Sequence, residues 1–312
     1  MPNADHPAAS PRQAYVITGP TSGIGRSTAF ELAKHGTVVL VGRNHEKLRE
    51  VQSVIEQEGQ NAVSVLCDLS DVAGVRRAVA EIVALGLPMV GVLNNAGIMQ
   101  TRPTTNALGW DMTFATNYLG PFALTEALAP HLPDGAMVLF VASAVEDPVR
   151  KPAAAAGFRG GRYLSAEASA RGAWLPGGSA KPGFDAYATS KQCIIAATMT
   201  FARETPRLHF NAIEPGFNPT TGLGGDDVGA AVRFLQRYVI PRLVPLLMPF
   251  MKILSTPERA AHVITRILTD ASGQTGIYYD ERGQPMQGSA LVRDPEFQDR
   301  VVAETRALLS TI

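Results

Sequence analysis

Apolar residues recur along the chain in two alternating patterns. Short runs that are apolar at nearly every position, such as AYVIT at 14–18 and TVVLV at 37–41, predict strands buried on both faces. Between them lie stretches with helical spacing. Residues 24–35 carry Ile24, Ala29, Leu32 and Ala33 on one face, and residues 46–58 carry Leu48, Val51, Val54 and Ile55. The alternation continues with strands at 63–67, 89–93 and 136–142 and a helix at 72–85. Residues 108–132 read as one long helix or two joined ones, with Pro121 marking a break or bend. Residues 148–182 are rich in Gly, Ala, Pro and Arg and have little period, which predicts a structured loop or small lid. Helices then return at 186–203, 257–270 and 294–309, with strands at 209–213 and 276–279. Strands apolar on both faces, each followed by a helix, predict an α/β fold: a doubly wound parallel sheet with helices on both faces and right-handed crossovers.

The 312 residues allow one large domain, and no linker interrupts the β-α repeat before residue 143. We expect a flexible tail at 1–12 and a single domain over 13–312. Residues 1–12 lack the basic start and apolar core of a signal peptide. The most apolar stretch, YVIPRLVPLLMPFMKIL at 238–254, holds Arg242, Lys252 and three prolines. It predicts a buried or groove-lining segment rather than a transmembrane helix. Lys plus Arg and Asp plus Glu both number 28, so no net field is available for binding nucleic acid. Two cysteines, Cys67 and Cys193, make no disulfide scaffold and fit a reducing, cytoplasmic setting. Cys193 reads as a small core residue. The six histidines are scattered, and no Cys-His cluster has metal-ligand spacing, so no metal site is expected.

The first strand runs straight into TGPTSGIG, residues 18–25, and then a helix. That order brings backbone amides to a pyrophosphate. Gly19 allows the tight turn, and Gly23 and Gly25 permit close approach; Thr21, Ser22 and Ile24 complete the loop. The second strand ends in Gly42-Arg43-Asn44, with no acid to accept from ribose hydroxyls. Arg43 is suited to a 2′-phosphate, with Arg26 in support, so NADP is expected over NAD; a plain surface arginine is the alternative. Cys67-Asp68-Leu69 closes the third strand. There Asp68 can accept from an adenine amino group, or serve only as an acid near a helix start. Asn95, Ala96 and Gly97 follow the fourth strand, where ligands of parallel sheets lie. Tyr187 and Lys191 share a helix face, and a nearby ammonium lowers a phenol whose ordinary pKa is about 10. Tyr187 can then exchange a proton, while Ser143 donates to a developing alkoxide.

Taken together, these motifs resemble the short-chain dehydrogenase/reductase family over about residues 12–285. The resemblance implies a Rossmann-like NAD(P)-binding domain and reversible hydride transfer between the cofactor and an alcohol or carbonyl. It implies a tetrad of Asn117, Ser143, Tyr187 and Lys191, in which Lys191 also holds the nicotinamide ribose and Asn117 anchors a water. Pro215 and Gly216 match the turn after the sixth strand, with Asn218 near the carboxamide and Thr220 near the pyrophosphate. Dimers or tetramers through the long helices are the family expectation.

Two features depart from the family pattern. Ser143 and Tyr187 lie 44 residues apart, far more than usual. Members resembling retinol dehydrogenases also lengthen this region, and the tail GIYYDERGQP is similar to theirs. The insertion, 148–183, is either a substrate lid, with Tyr163, Leu164, Trp174 and Leu175 facing the pocket, or a subunit interface. Asn218 stands where an aliphatic residue is commoner. Segment 226–256 is expected to supply an apolar substrate wall. The sequence therefore points to an NADP-dependent oxidoreductase acting on a hydrophobic or aromatic alcohol and its ketone or aldehyde. The alternatives are an NAD-dependent or double-bond-reducing member of the same fold, or a noncatalytic dinucleotide sensor.

Overall fold

The computed structural model describes residues 13–216 and 255–312. The expected tail at 1–12, the apolar stretch 238–254, most of segment 226–256, Asn218 and Thr220 lie outside the described residues.

Seven strands form one parallel sheet: β1 (Ala14–Thr18), β2 (Thr37–Gly42), β3 (Ala62–Leu66), β4 (Met89–Asn94), β5 (Met137–Val141), β6 (His209–Ile213) and β7 (Ile277–Tyr279). Their order across the sheet is β3-β2-β1-β4-β5-β6-β7. The chain therefore reverses direction across the sheet between β1 and β4, which opens a crevice at the strands' carboxyl ends. Successive side chains point to opposite faces, so each strand feeds two cores. Val16, Val39, Val41, Val92 and Val138 pack on one side. Ile17, Val38, Leu40, Leu93 and Leu139 pack on the other. This double burial explains why the strands are apolar throughout.

Helices α1 (Gly23–Leu32) and α2 (His45–Gln57) cover one face, and α3 (Val72–Ala84) the other. In α2, Leu48, Val51 and Ile55 are buried as expected, but Val54 is only half-buried. The 108–132 region contains α4 (Met112–Phe114), a π-helical stretch (Ala115–Leu119), α5 (Gly120–Leu128) and a closing 3₁₀ turn (Ala129–His131). Pro121 does not break the helix. Its ring would crowd the Asn117 carbonyl four residues back, and the widened turn just before it relieves that clash.

The insertion is folded, with short helices α6 (Lys151–Ala156) and α7 (Ala166–Ala170). It does not present its aromatic side chains as a lid. Tyr163 is buried against Phe297, their rings edge-on at 5.7 Å, and its hydroxyl donates to Glu304 at 2.6 Å. Trp174 packs edge-on against Phe114, while Leu164 and Leu175 are exposed. The lid reading is therefore corrected for Tyr163, whose ring is buried in the core, and Trp174 is half-buried against that core; packing such rings is worth more than lining an open cleft. The long helix α8 (Phe184–Glu204) is followed by α9 (Pro257–Leu268) and α10 (Pro295–Leu309). α10 lies along α8 and buries Phe297, Val301, Val302 and Leu309. Arg306 clamps it by a bidentate pair to Glu204 (2.7 and 3.1 Å) and a bond to Glu126 on α5 (2.7 Å). The outer face of the long helix is thus covered by the chain itself. No helix among the described residues is long and apolar enough to cross a membrane.

Candidate active site

The glycine turn leaves β1 at the crevice. Gly19 has φ 67°, and Gly23 has φ 52°, both in the left-handed region. A Cβ at Gly25 would stand 2.2 Å from the Gly19 carbonyl oxygen and 2.4 Å from Asn95 Nδ2. The α1 N-terminus can therefore approach β4 only because no side chain intervenes. Ser22 caps α1 without a side-chain bond, so the first amides of that helix remain available to an anion.

Thr18 ties the turn to the neighbouring strand, and the sequence reading did not single it out. Its hydroxyl accepts from the amides of Asn95 and Ala96, both at 3.0 Å, and donates to Leu93 O at 3.3 Å. Asn95 returns the link by donating to Thr18 O (2.9 Å) and Gly19 O (3.2 Å). A polar residue closing an otherwise apolar strand was the available signal.

Arg43 is exposed and, with Leu66, Cys67, Asp68 and Arg77, lines a cavity of about 570 Å³. Asn44 spends its side chain capping α2, accepting from the Lys47 amide at 3.0 Å. Arg26 stacks over Phe30, 4.7 Å from the ring centroid. Burial and the neighbouring Asp68 and Asp71 push the Cys67 thiol up to about 12, so it is inert. Asp68 accepts from the Ser70 amide (2.9 Å) and hydroxyl (2.8 Å), closing the turn ahead of α3; the residue at the α3 N-cap is Asp71. Leu69 is buried beside them.

The four tetrad residues converge at the ends of β4 and β5. Asn117, in the π-helical stretch, accepts from the Ile98 amide and donates to the Ile98 carbonyl, both at 2.8 Å. Its amide also reaches Ser190 Oγ at 3.3 Å, and Ser190 donates to Tyr187 O at 2.7 Å. Ser190 is a second brace that the sequence reading missed. Lys191 is only 3 % exposed; its ammonium donates to Val141 O at 2.7 Å and lies 5.4 Å from the Tyr187 ring centroid. Burial lowers Lys191 to about 8, partly offset by the Glu214 carboxylate. Burial also raises the Tyr187 phenol well above its ordinary value; Glu214 adds to the rise and a hydrogen bond with Ser143 opposes it.

Glu214, the residue after β6, was also missed. It is buried, and its carboxyl accepts from the amides of Ala144 and Gly216 (3.0 Å for the last). An acid at the end of an apolar strand, directly before Pro215-Gly216, was its signal in the sequence. Among the described residues no cluster could hold a metal ion.

Comparison with known proteins agrees with this fold. The short chain dehydrogenase family model matches residues 13–154. Dehydrogenase/reductase SDR family member 12 of Bos taurus is 31 % identical over 219 residues, covering 68 % of this chain and 63 % of that protein. Human polyprenol dehydrogenase is 36 % identical over 121 residues, covering 38 % of this chain and 37 % of that protein. The match thus spans less than two thirds of the length of either relative. A short chain dehydrogenase from Shigella flexneri in complex with NADP superposes with a TM-score of 0.62 at 26 % identity, covering 86 % of this chain and 97 % of that one. One from Escherichia coli CFT073 complexed with NADPH gives 0.60 at 27 %, covering 86 % and 96 %. The chain belongs to the short-chain dehydrogenase/reductase family.

Proposed function

We propose that this protein is an NADP-dependent oxidoreductase that interconverts a hydrophobic or aromatic alcohol and its ketone or aldehyde, with Tyr187 as general acid and base. The observation that carries the reading is the buried Lys191 ammonium, 5.4 Å from the Tyr187 ring centroid and held on Val141 O at the end of β5, two residues before Ser143. Bound NADPH supplies the hydride. The fit of the dinucleotide rests on the cradle at Gly19 and Gly25, which a Cβ would fill, and on the open amides of α1. Thr21, Ser22, Gly23 and Ile24 would carry the pyrophosphate, with Thr220. Arg43 would take the 2′-phosphate, and the Asn44 backbone would lie beside it. Cys67, Asp68 and Leu69 would hold the adenine, and Asn95, Ala96 and Gly97 the adjoining ribose. Lys191, Pro215, Gly216 and Asn218 would hold the nicotinamide end. The two solved relatives that carry NADP and NADPH support that choice of cofactor.

The residues' own work follows from their environment. Burial keeps Tyr187 protonated at neutral pH, the form that can give a proton to a carbonyl oxygen. The Ser143 hydroxyl steadies that oxygen as charge develops. Lys191 offsets the phenolate left behind, and Asn117 holds the Ile98 loop in place. An apolar substrate is supported by relatives named for a polyprenol and for daunorubicin C-13 ketoreduction.

The test is a fluorescence titration with NADPH and NADH followed by a carbonyl panel. We expect NADPH to bind more tightly and bulky ketones to turn over. Tyr187→Phe should retain NADPH affinity and lose at least about 10²-fold in turnover. Binding without turnover of any carbonyl would leave a dinucleotide sensor.

A further inference from the structure

We propose that Phe184, held in place by Phe158 of the insertion, is a specificity wall of the active site, and that it selects a carbonyl compound, or the matching alcohol, with an aromatic ring on the reacting carbon. The reaction at that carbon rests on the oxidoreductase reading above; the wall itself does not.

The two sheet cores do not account for all the buried apolar side chains. A third, smaller cluster joins Phe158 to the Tyr187 ring, with Met99, Val145 and Phe184 half-buried at its border. Met99 lies two residues past Gly97, and Val145 two past Ser143. Phe184 comes three residues before Tyr187 on α8, so the two share a face. The partly exposed apolar surface of the cluster therefore collects around the candidate general acid.

The insertion fixes this wall. α6 ends at Gly157, whose φ of 108° turns the chain, and Phe158 then stacks on Phe184 with ring centroids 4.1 Å and planes 16° apart. The Phe158 centroid also stands 6.2 Å from that of Tyr187. Two bonds tie the ends of the insertion across the stack. Ser179 Oγ donates to Gly157 O at 2.8 Å, and Lys181 Nζ donates to Ala156 O at 2.7 Å. The same ammonium lies 5.1 Å from the Phe184 centroid. Gly183, with φ 79°, closes the corner, since a Cβ there would overlap the Gln100 carbonyl oxygen. Phe158 is only 9 % exposed, so it acts through Phe184, as a positioning residue.

With Phe158 stacked on it and the Lys181 ammonium over its ring, Phe184 has its edge left to offer. A ring edge carries partial positive charge and packs well against the face of another ring. An aromatic substituent gains that contact on top of the area it buries, a factor of roughly 3- to 10-fold, whereas a saturated ring of the same size gains the area alone. Three residues of helix rise about 4.5 Å, which is the reach of a ring joined directly to a carbonyl carbon at Tyr187.

The test uses the full chain, NADPH and two ketones of nearly equal size, acetophenone and cyclohexyl methyl ketone. Their intrinsic reactivities differ, but that difference cancels when the ratio of their kcat/KM values is compared across variants. Phe184→Leu and Phe158→Leu each keep apolar bulk and remove a ring. We expect each to lower the acetophenone-to-cyclohexyl ratio by about 3- to 10-fold. An unchanged ratio in Phe184→Leu, with both ketones slowed alike or neither affected, would overturn the proposal and leave the stack as an anchor of the insertion. A fall in Phe184→Leu alone would overturn the part given to Phe158. If Phe158→Leu does not fold, Phe184→Leu, at a half-buried position, decides the wall. A second arm needs no turnover: saturation-transfer NMR of acetophenone with the protein and NADP. The ring protons should receive saturation in the wild type and clearly less in Phe184→Leu; equal transfer in both, or none in the wild type, would overturn the wall. Phe184-dependent transfer without turnover of any ketone would count against the oxidoreductase reading alone.

Discussion

Replacing Thr18 by Val tests how the crevice is held open. The two side chains have nearly the same shape, and position 18 is fully buried, so packing is conserved. What is lost is one acceptor for two amides, those of Asn95 and Ala96, each at 3.0 Å. An amide left without a partner costs about 1–3 kcal/mol. These two are half-buried, so water recovers part of the loss and the lower end applies to each. The sum is about 2 kcal/mol, roughly a 30-fold change in the unfolding equilibrium. Urea unfolding should show it as a midpoint lower by roughly 0.7 M, taking m as ~3 kcal/mol/M. Thr18→Ser keeps the hydroxyl and loses one methyl, at a cost of about 1 kcal/mol. It should also keep NADPH affinity, which Thr18→Val should weaken. Thr18→Val within about 0.5 kcal/mol of wild type, or no less stable than Thr18→Ser, would refute the argument.

Two further outcomes follow from buried and exposed charge. Glu146 is fully buried, its carboxyl accepting from Ser289 N (2.8 Å) and meeting Ser289 Oγ at 2.7 Å, and burial pushes it up to about 7. The folded protein binds that proton more tightly than the unfolded chain, so the associated stability is complete below about pH 4.5 and is lost as pH rises through 7. Glu146→Gln should therefore match wild type near pH 5 and exceed it at pH 8 by on the order of 3 kcal/mol, read by urea melts at the two values; an equal difference at both would contradict this. Arg43→Ala should weaken NADPH binding about 10- to 100-fold, as expected for a charge-assisted contact, and NADH binding hardly at all. A titration showing equal weakening of both would remove Arg43 from the phosphate.

The strands were legible because burial on both faces leaves an unmistakable apolar run. β1 and β6 fall where the sequence placed them, and the other strands shift by only a residue or so at their ends. The placement of the glycine turn was legible because it follows β1 directly, and that of Tyr187 beside Lys191 because they share one helix face. The roles of Thr18, Ser190 and Glu214 were not. A polar residue closing an apolar strand marks the place of Thr18 and Glu214 but not their work, which lies in bonds to partners distant along the chain, such as Glu214 to Ala144. Of the two readings of Pro121 the break is not seen, because a proline in a helix can be accommodated by widening a turn. The insertion showed little period because its side chains pack singly, as Tyr163 does against Phe297, rather than as a stripe.

The clamp of α10 on α8 has a consequence for the chain as it is made. α8 ends at Glu204 and α10 begins at Pro295, so the covering helix is synthesised ~90 residues later. At ~5–20 residues per second, the helix bearing Tyr187 and Lys191 waits on the order of 5–20 s with its apolar flank uncovered. During that interval Thr200, Arg203 and Glu204 lack their partners Asp299, Gln298 and Arg306 on the covering helix. The helix bearing Tyr187 and Lys191 is therefore a late-maturing part of the molecule, although its sequence lies well before that of α10.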